Sequence, residues 1–193
     1  MTPPSILAFA GSTRSGSYNK QLVRVAAEAA REAGAEVTVI DLRDLALPLF
    51  DGDLEEAQGL PENTKALKSM LRAADGLLIS SPEYNSSITA VLKNAIDWAS
   101  RAETDDEPPL SCFRGKVASL MSASPGGLGG IRGLVHLRAI LGNIGVVVLP
   151  DQIALPTAHE AFDANGHLKD ERKHKQVAGL AKGLVGFLEK HKA

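Results

Sequence analysis

The sequence is poor in cysteine, in aromatic residues and in net charge, and each shortage excludes a class of protein. One cysteine among 193 residues, Cys112, excludes an internal disulfide and a cysteine-based zinc cage. Aromatic residues make up 4% of the chain, too few for a platform on which nucleic-acid bases stack. A formal charge of −2 provides no field that attracts nucleic acid or a membrane surface. We therefore expect neither among its partners.

Long apolar runs are also missing. No run approaches the roughly 18 residues that a membrane-spanning helix needs. The start, Met-Thr-Pro-Pro-Ser, has no basic residue before its first apolar stretch and so lacks the beginning of a signal peptide. The five histidines show no metal-ligand spacing, so we expect no metal. The length and the 44% hydrophobic content predict one cytoplasmic domain over residues 1–193.

Short apolar runs alternate with helix-periodic segments along the chain. The runs predict strands at 6–10, 37–40, 76–80, 117–121 and 146–149. Apolar residues that recur every three or four positions predict helices at about 17–33, 61–74, 88–101, 134–142 and 177–188. Residues 42–60 have little periodicity and are predicted to be an exposed loop. Pro150 is predicted to end the fifth strand.

Five strands separated by helices predict a parallel sheet, because parallel neighbours need a crossover and the crossover is usually a helix. The strands are nearly all apolar, which is typical of a sheet covered by helices on both faces. Ligands of such sheets bind beyond the carboxyl ends of the strands, at the topological switch point. The candidate site therefore consists of the segments that follow strands one, three and four: 11–19, 81–87 and 122–130.

Segment 11–19 joins the first strand to a helix and is rich in hydroxyl groups around Arg14. Amide donors, the positive end of a helix dipole and an arginine are the groups that hold a phosphate. Gly16 is followed by Ser-Tyr instead of Lys-Ser/Thr, so the segment is not a Walker A loop. Helix capping by Ser17 is the alternative interpretation, and the density of hydroxyls favours phosphate binding.

The other two segments allow two interpretations each. Segment 81–87 combines a proline-stiffened turn with the planar side chain of Tyr84, along which a flat heterocycle could lie; capping of the next helix by Ser86 or Ser87 explains it equally well. Segment 122–130 has four glycines in its last five positions. Glycine permits close approach of a ligand to the backbone, and it also permits mobility without any ligand.

Together these segments resemble the NAD(P)H-dependent FMN reductase family over about residues 5–155. The stretch from Leu7 to Arg14, with Ser15, Ser17 and Asn19, is similar to the family's N-terminal signature. Ser81-Pro82-Glu83-Tyr84-Asn85, followed by Leu92-Lys93-Asn94-Ala95-Ile96-Asp97-Trp98, is similar to its second signature. The resemblance implies a flavodoxin-like three-layer α/β sandwich, with a five-stranded parallel sheet of order 2-1-3-4-5 and helices on both faces.

The resemblance also implies a role for each loop. The first would hold the phosphate and ribityl chain of FMN, and its matching residues are Gly11, Ser12, Arg14, Ser17 and Asn19. The backbone of the second would line the isoalloxazine ring, with Pro82, Glu83, Tyr84 and Asn85. The third would lie near the pyrimidine side of the flavin, with Ser122, Ser124, Gly126 and Gly127. No side chain is expected to act as a catalytic acid or base.

The implied activity is ping-pong hydride transfer from NADPH or NADH, through flavin N5, to quinones, flavins, azo dyes or chromate. The flavin performs this chemistry while the protein binds and orients. A flavodoxin-type electron carrier shares the fold and is the alternative, but such carriers resemble strongly acidic proteins, and the charge of −2 argues against one. An interaction module without FMN is a second alternative, if the loops only cap helices.

The helix after the second loop predicts self-assembly. Leu92, Ile96 and Ala99 cannot all face one sheet alongside Ile88 and Val91. An apolar residue left outside would form a partner surface, and members of the family resemble dimers or tetramers. We therefore expect a homodimer or homotetramer with this helix in its interface, and small-molecule electron acceptors as the other partners.

Overall fold

A computed structural model describes residues 2–191, and five strands of that range form a parallel sheet. The strands are β1 (Ser5–Ala10), β2 (Glu36–Asp41), β3 (Gly76–Ser80), β4 (Val117–Ala123) and β5 (Val147–Leu155). Their order is β2-β1-β3-β4-β5, and all neighbours pair in parallel. The predicted α/β fold and its flavodoxin-like strand order are confirmed.

Helices cover both faces of the sheet, as predicted. The helices are α1 (Tyr18–Glu32), α2 (Leu42–Leu45), α3 (Gly52–Gln58), α4 (Glu62–Ala73), α5 (Ala90–Ala99), α6 (Ile131–Asn143), α7 (Ala158–Ala161) and α8 (Glu171–His191). Alternate residues of β1 divide the core: Ile6 and Ala8 pack with α1 and α8, whereas Leu7 and Phe9 pack with α4, α5 and α6. No helix within residues 2–191 is long and apolar enough to cross a bilayer.

The prediction that residues 42–60 form a loop is wrong, because α2 and α3 lie there. Asp41 and Asp51 cap these helices by accepting hydrogen bonds from the backbone N–H groups of Arg43 and Asp53, at 3.0 and 2.9 Å. No residue of α3 is buried. Local capping forms α3 without a core-facing stripe, so hydrophobic periodicity could not reveal it.

The prediction that Pro150 ends the last strand is also wrong, because β5 continues to Leu155. The pairing register with β4 shifts at this point: Ala118 pairs with Val148, and Leu120 pairs with Gln152. Pro150 therefore lies in a bulge of an edge strand, where a residue without an N–H group breaks no ladder bond.

The apolar residues of α5 are covered within the chain. Leu92, Ile96, Ala99 and Trp98 are all buried. The indole N–H of Trp98 donates to the carbonyl of Pro48 at 2.8 Å, and Phe50 packs edge-on against the indole with ring centroids 5.0 Å apart. The premise that α5 leaves an apolar residue outside is therefore wrong, since the segment before α3 folds back over the helix. Self-assembly itself stays a prediction.

Candidate active site

The three candidate segments meet in one groove beyond the carboxyl ends of β1, β3 and β4. This is the switch point of the sheet, because the chain leaves β1 toward β2 on one side and β3 lies on the other. The groove is lined by Ser12, Arg14, Ser17, Tyr18, Asn19, Pro82, Glu83, Tyr84, Ala123, Ser124 and Pro125.

The first segment packs tightly at its start and then opens. The carbonyl of Gly11 accepts a hydrogen bond from the hydroxyl of Thr89 at 2.7 Å, and a Cβ at Gly11 would lie 3.0 Å from that of Leu92. Gly11 therefore lies beneath the groove and not on its wall. Ser17 is the N-cap of α1, and its Oγ accepts from the backbone N–H of Lys20 at 3.4 Å. Capping by Ser17 is thus observed, and it leaves the groove above it open.

Arg14 is exposed at the mouth of the groove. Within residues 2–191 no carboxylate pairs with its guanidinium, whose carbon lies 6.0 Å from the centre of the Tyr18 ring. The first turn of α1 contains no acidic residue that would neutralise the helix dipole. An unpaired guanidinium beside an uncompensated helix N-terminus fits a phosphate group.

Asn19 connects α1 to two strands. Its Nδ2 donates to the carbonyl of Ala123 at 2.8 Å, while its Oδ1 accepts from the Ser80 hydroxyl at 2.8 Å and from the Ala123 N–H at 3.0 Å. The side chain is buried. Most of its hydrogen-bonding capacity therefore holds the ends of β3 and β4 together beneath the groove.

The second segment forms a tight turn that presents Tyr84. The backbones of Tyr84 and Ser87 exchange hydrogen bonds of 2.9 and 3.0 Å. Asn85 and Ser86 between them have φ values of 50° and 66°, the left-handed pair of a type I′ turn. Tyr84 is 57% exposed on the wall of the groove, whereas Asn85 lies at the exposed tip of the turn. Both non-glycine residues hold a costly backbone conformation, which is typical of functional sites.

Glu83 has a largely buried carboxylate at the start of α6. One oxygen accepts from the backbone N–H groups of Arg132 and Gly133, at 3.0 and 3.3 Å. The other accepts from Nε of Arg132 at 2.7 Å and also contacts Nη2. Burial raises the pKa of this carboxyl, but the hydrogen bonds from Arg132 and Gly133 outweigh it, so the pKa lies below its ordinary value.

The third segment is anchored at its start and exposed in its middle. The N–H of Ser124 donates to the carbonyl of Leu155 at 3.1 Å, and its Oγ accepts from the N–H of Gly126 at 3.2 Å. Gly126 and Gly127 are exposed beyond it. Ser122 is fully buried without a hydrogen-bond partner, and a Cβ at Gly130 would lie 2.0 Å from its Oγ. Ser122 is thus beneath the loop and not on the groove wall.

Sequence reasoning did not single out three residues of the groove wall: Tyr18, Ala123 and Pro125. Tyr18 stacks on Phe162 with ring centroids 6.4 Å apart, a contact that fixes its ring beside Arg14. Its place between Ser17 and Asn19 is the signal that could have found it. No group of three potential metal ligands lies together within residues 2–191.

Comparison with known proteins identifies the family. Residues 4–160 match the family model described as NADPH-dependent FMN reductase. The chain belongs to this family. It is 38% identical to the NAD(P)H-dependent FMN reductase of Pseudomonas aeruginosa, over 89% of this chain and 88% of that protein. It is 37% identical to the quinone reductase of Escherichia coli K12, over 97% of this chain and 96% of that protein.

A solved structure is also similar. The flavoenzyme NAD(P)H:(acceptor) oxidoreductase of Paracoccus denitrificans superposes with a TM-score of 0.82 and 29% identity, and the match covers 97% of this chain and 98% of that one. The FMN reductase family is a family of oxidoreductases. The predicted resemblance, the predicted enzyme class and the predicted cofactors, FMN with NAD(P)H, are confirmed.

Proposed function

We propose that residues 1–193 form one FMN-binding domain that reduces quinones with electrons from NAD(P)H. The unpaired guanidinium of Arg14 beside the N-terminus of α1 carries this proposal, because it is the strongest anion-binding feature of the groove. Membership of the FMN reductase family and the similarity to quinone reductases support it.

The residues of the groove would divide the work of binding. Arg14, with the hydroxyls of Ser12 and Ser17, would hold the phosphate, and Asn19 would keep the strand ends beneath it in place. The turn at Tyr84 and the start of the third segment would flank the isoalloxazine ring on opposite walls. Gly126 and Gly127 have no side chains that would obstruct its pyrimidine side.

Bound FMN supplies the redox chemistry, since flavin N5 accepts a hydride from NAD(P)H and passes it to an acceptor. The protein's part is to bind and orient. The titratable side chains of the groove wall are those of Arg14, Tyr18, Glu83 and Tyr84, and the carboxylate of Glu83 is already bonded to Arg132. No free carboxylate or histidine lines this wall, so proton transfer by a side chain is not part of the proposed reaction.

An open groove favours a ping-pong reaction with a broad range of acceptors. Donor and acceptor would use the same flavin face in turn, so the site must admit molecules of different shape. Strong specificity requires buried polar groups that a wrong substrate leaves unpaired, and the exposed wall at Tyr84 and Gly126 offers none. We propose that quinones, free flavin, azo dyes and chromate are all reduced.

Steady-state kinetics with a panel of acceptors test this function. At varied NADPH, parallel double-reciprocal lines are expected, with rates across quinones, flavin and azo dyes that differ by roughly a hundredfold or less. Turnover of one compound alone would show a specific acceptor pocket. Bound FMN without NAD(P)H oxidation would instead support the electron carrier.

A further inference from the structure

Glu83 connects two walls of the groove that are far apart in sequence. It belongs to the segment expected to line the flavin ring, yet its carboxylate makes every one of its hydrogen bonds with the first turn of α6. That turn directly follows the glycine-rich third segment, 122–130. One carboxylate therefore bonds the turn at Tyr84 to the end of the opposite loop.

The start of α6 depends on this contact because it has no cap of its own. Its N-cap residue is Gly130, which offers no side-chain acceptor. The backbone N–H groups of Arg132 and Gly133 instead find their acceptor in Glu83. The negative charge also complements the helix dipole, so the carboxylate replaces a local cap with one supplied by the groove wall.

The backbone around Glu83 approaches α6 as closely as glycine allows. A Cβ at Gly133 would lie 3.1 Å from the carbonyl oxygen of Ser87 and 3.4 Å from Cα of Glu83. A further polar contact joins the same two elements, since Nδ1 of His136 lies 3.0 Å from Oγ of Ser87. The turn and the helix therefore meet over their whole facing surfaces, and Glu83 is the charged contact within this interface.

We propose that Glu83 is a positioning residue, whose carboxylate fixes the Tyr84 turn and the 122–130 loop relative to each other and so sets the width of the flavin groove. This rests on the proposed function. Arg132 is 57% exposed, and an ion pair with an exposed partner adds little to global stability. The main effect of Glu83 is therefore on the groove and not on the fold.

The experiment compares Glu83→Ala and Glu83→Gln with Glu55→Gln as the matched control. Glu55 also pairs with an arginine, Arg101, whose Nε lies 2.8 Å from both carboxylate oxygens, but this pair joins α3 to the residue after the C-cap of α5, and neither residue lines the groove. Amide hydrogen exchange is measured without added FMN, and the FMN dissociation constant is measured by fluorescence titration.

Faster exchange is expected in Glu83→Ala at 84–87 and 126–133 together, with unchanged exchange in the strands. If the loops then hold the competent arrangement about one tenth of the time, the FMN dissociation constant rises about tenfold. Glu83→Gln keeps an acceptor for the helix N–H groups and is expected to fall between Ala and wild type. Glu55→Gln is expected to match wild type in both measurements.

The two proposals fail in different ways. Wild-type exchange in both segments of Glu83→Ala, or a wild-type FMN dissociation constant, overturns the role of Glu83. If the wild-type protein itself binds no FMN, the proposed function fails, and the exchange data alone then decide whether Glu83 couples the two walls. If Glu83→Ala does not fold, Glu83→Gln and Arg132→Ala supply the same comparison.

Discussion

At the scale of single residues, the groove contains side chains that are free to meet a ligand and side chains that are already bonded to the protein. Arg14 belongs to the first kind, because no carboxylate within the described range pairs with it. Asn19 and Glu83 belong to the second kind, because their polar atoms hold neighbouring elements. Substitutions of the two kinds should therefore affect ligand binding and stability differently.

Arg14→Ala is expected to weaken FMN binding by about 1.5–3 kcal/mol, which is the contribution of a hydrogen bond to a charged group. Stability should be unchanged, since the residue is exposed on a loop. Flavin titration of Arg14→Ala and of the control Arg24→Ala, an exposed residue of α1 that does not line the groove, measures this. Equal flavin affinity in both variants would contradict a phosphate contact at Arg14.

Asn19→Ala is expected to lower the free energy of unfolding by about 2–3 kcal/mol, because it leaves the buried Ser80 hydroxyl and the Ala123 backbone without their partner. Chemical denaturation measures the change. The matched control is Asn143→Ala, an exposed asparagine in α6 that gains the same helix propensity. A loss of similar size in both variants would show that the Asn19 contacts contribute nothing.

At the scale of elements, a buried ionic cluster holds the loop before β4 against α4. Glu107 accepts from Nζ of the fully buried Lys68 at 2.9 Å, and it also bonds Ser111 and Arg72. Burial raises the pKa of Glu107, but the hydrogen bonds from Ser111 and Lys68 outweigh it and lower the pKa to about 2. The folded state therefore favours the charged carboxylate more strongly than the unfolded state does.

The sign of the resulting pH dependence follows from this lowered pKa. The stabilisation by Glu107 is complete above the unfolded pKa, near 4.5, and is lost as pH falls toward 2. Glu107→Gln is expected to destabilise the protein by about 3 kcal/mol at pH 7, since it leaves buried Lys68 without its counter-charge, and to flatten the loss of stability below pH 4.5.

Denaturation curves at several pH values measure both effects of Glu107→Gln. Glu62→Gln is the control, because its ion pair with Lys65 is largely exposed and contributes little. A Glu107→Gln variant that follows the wild-type pH profile would show that this carboxylate does not couple stability to pH.

At the scale of the whole molecule, a homodimer or homotetramer is still expected, although the buried face of α5 no longer supports it. Light scattering at micromolar concentration should give a mass of two or four times 20.3 kDa. Trp98→Ala provides a check on α5, since the indole packs within the chain and the variant should lose stability without changing the number of subunits. A mass of one chain for the wild-type protein would end the prediction.

The sequence alone determined the strands, the parallel sheet and the three segments that form the groove. These features are local, because apolar runs, helical periodicity and the residues that follow a strand can each be read within about ten positions. The two signature segments carry the family in the same way. Arg14 is exposed in the structure at the end of the strand where its segment was expected.

Only the tertiary structure decided how the remaining side chains are used. Glu83 bonds Arg132, Asn19 bonds Ala123, and Trp98 bonds Pro48, all across about 50 to 104 positions of sequence. No local pattern encodes such a partner, because the fold brings the two residues together only after the sheet has formed. The bulge at Pro150 has the same origin, since an edge strand tolerates a proline that a central strand would exclude.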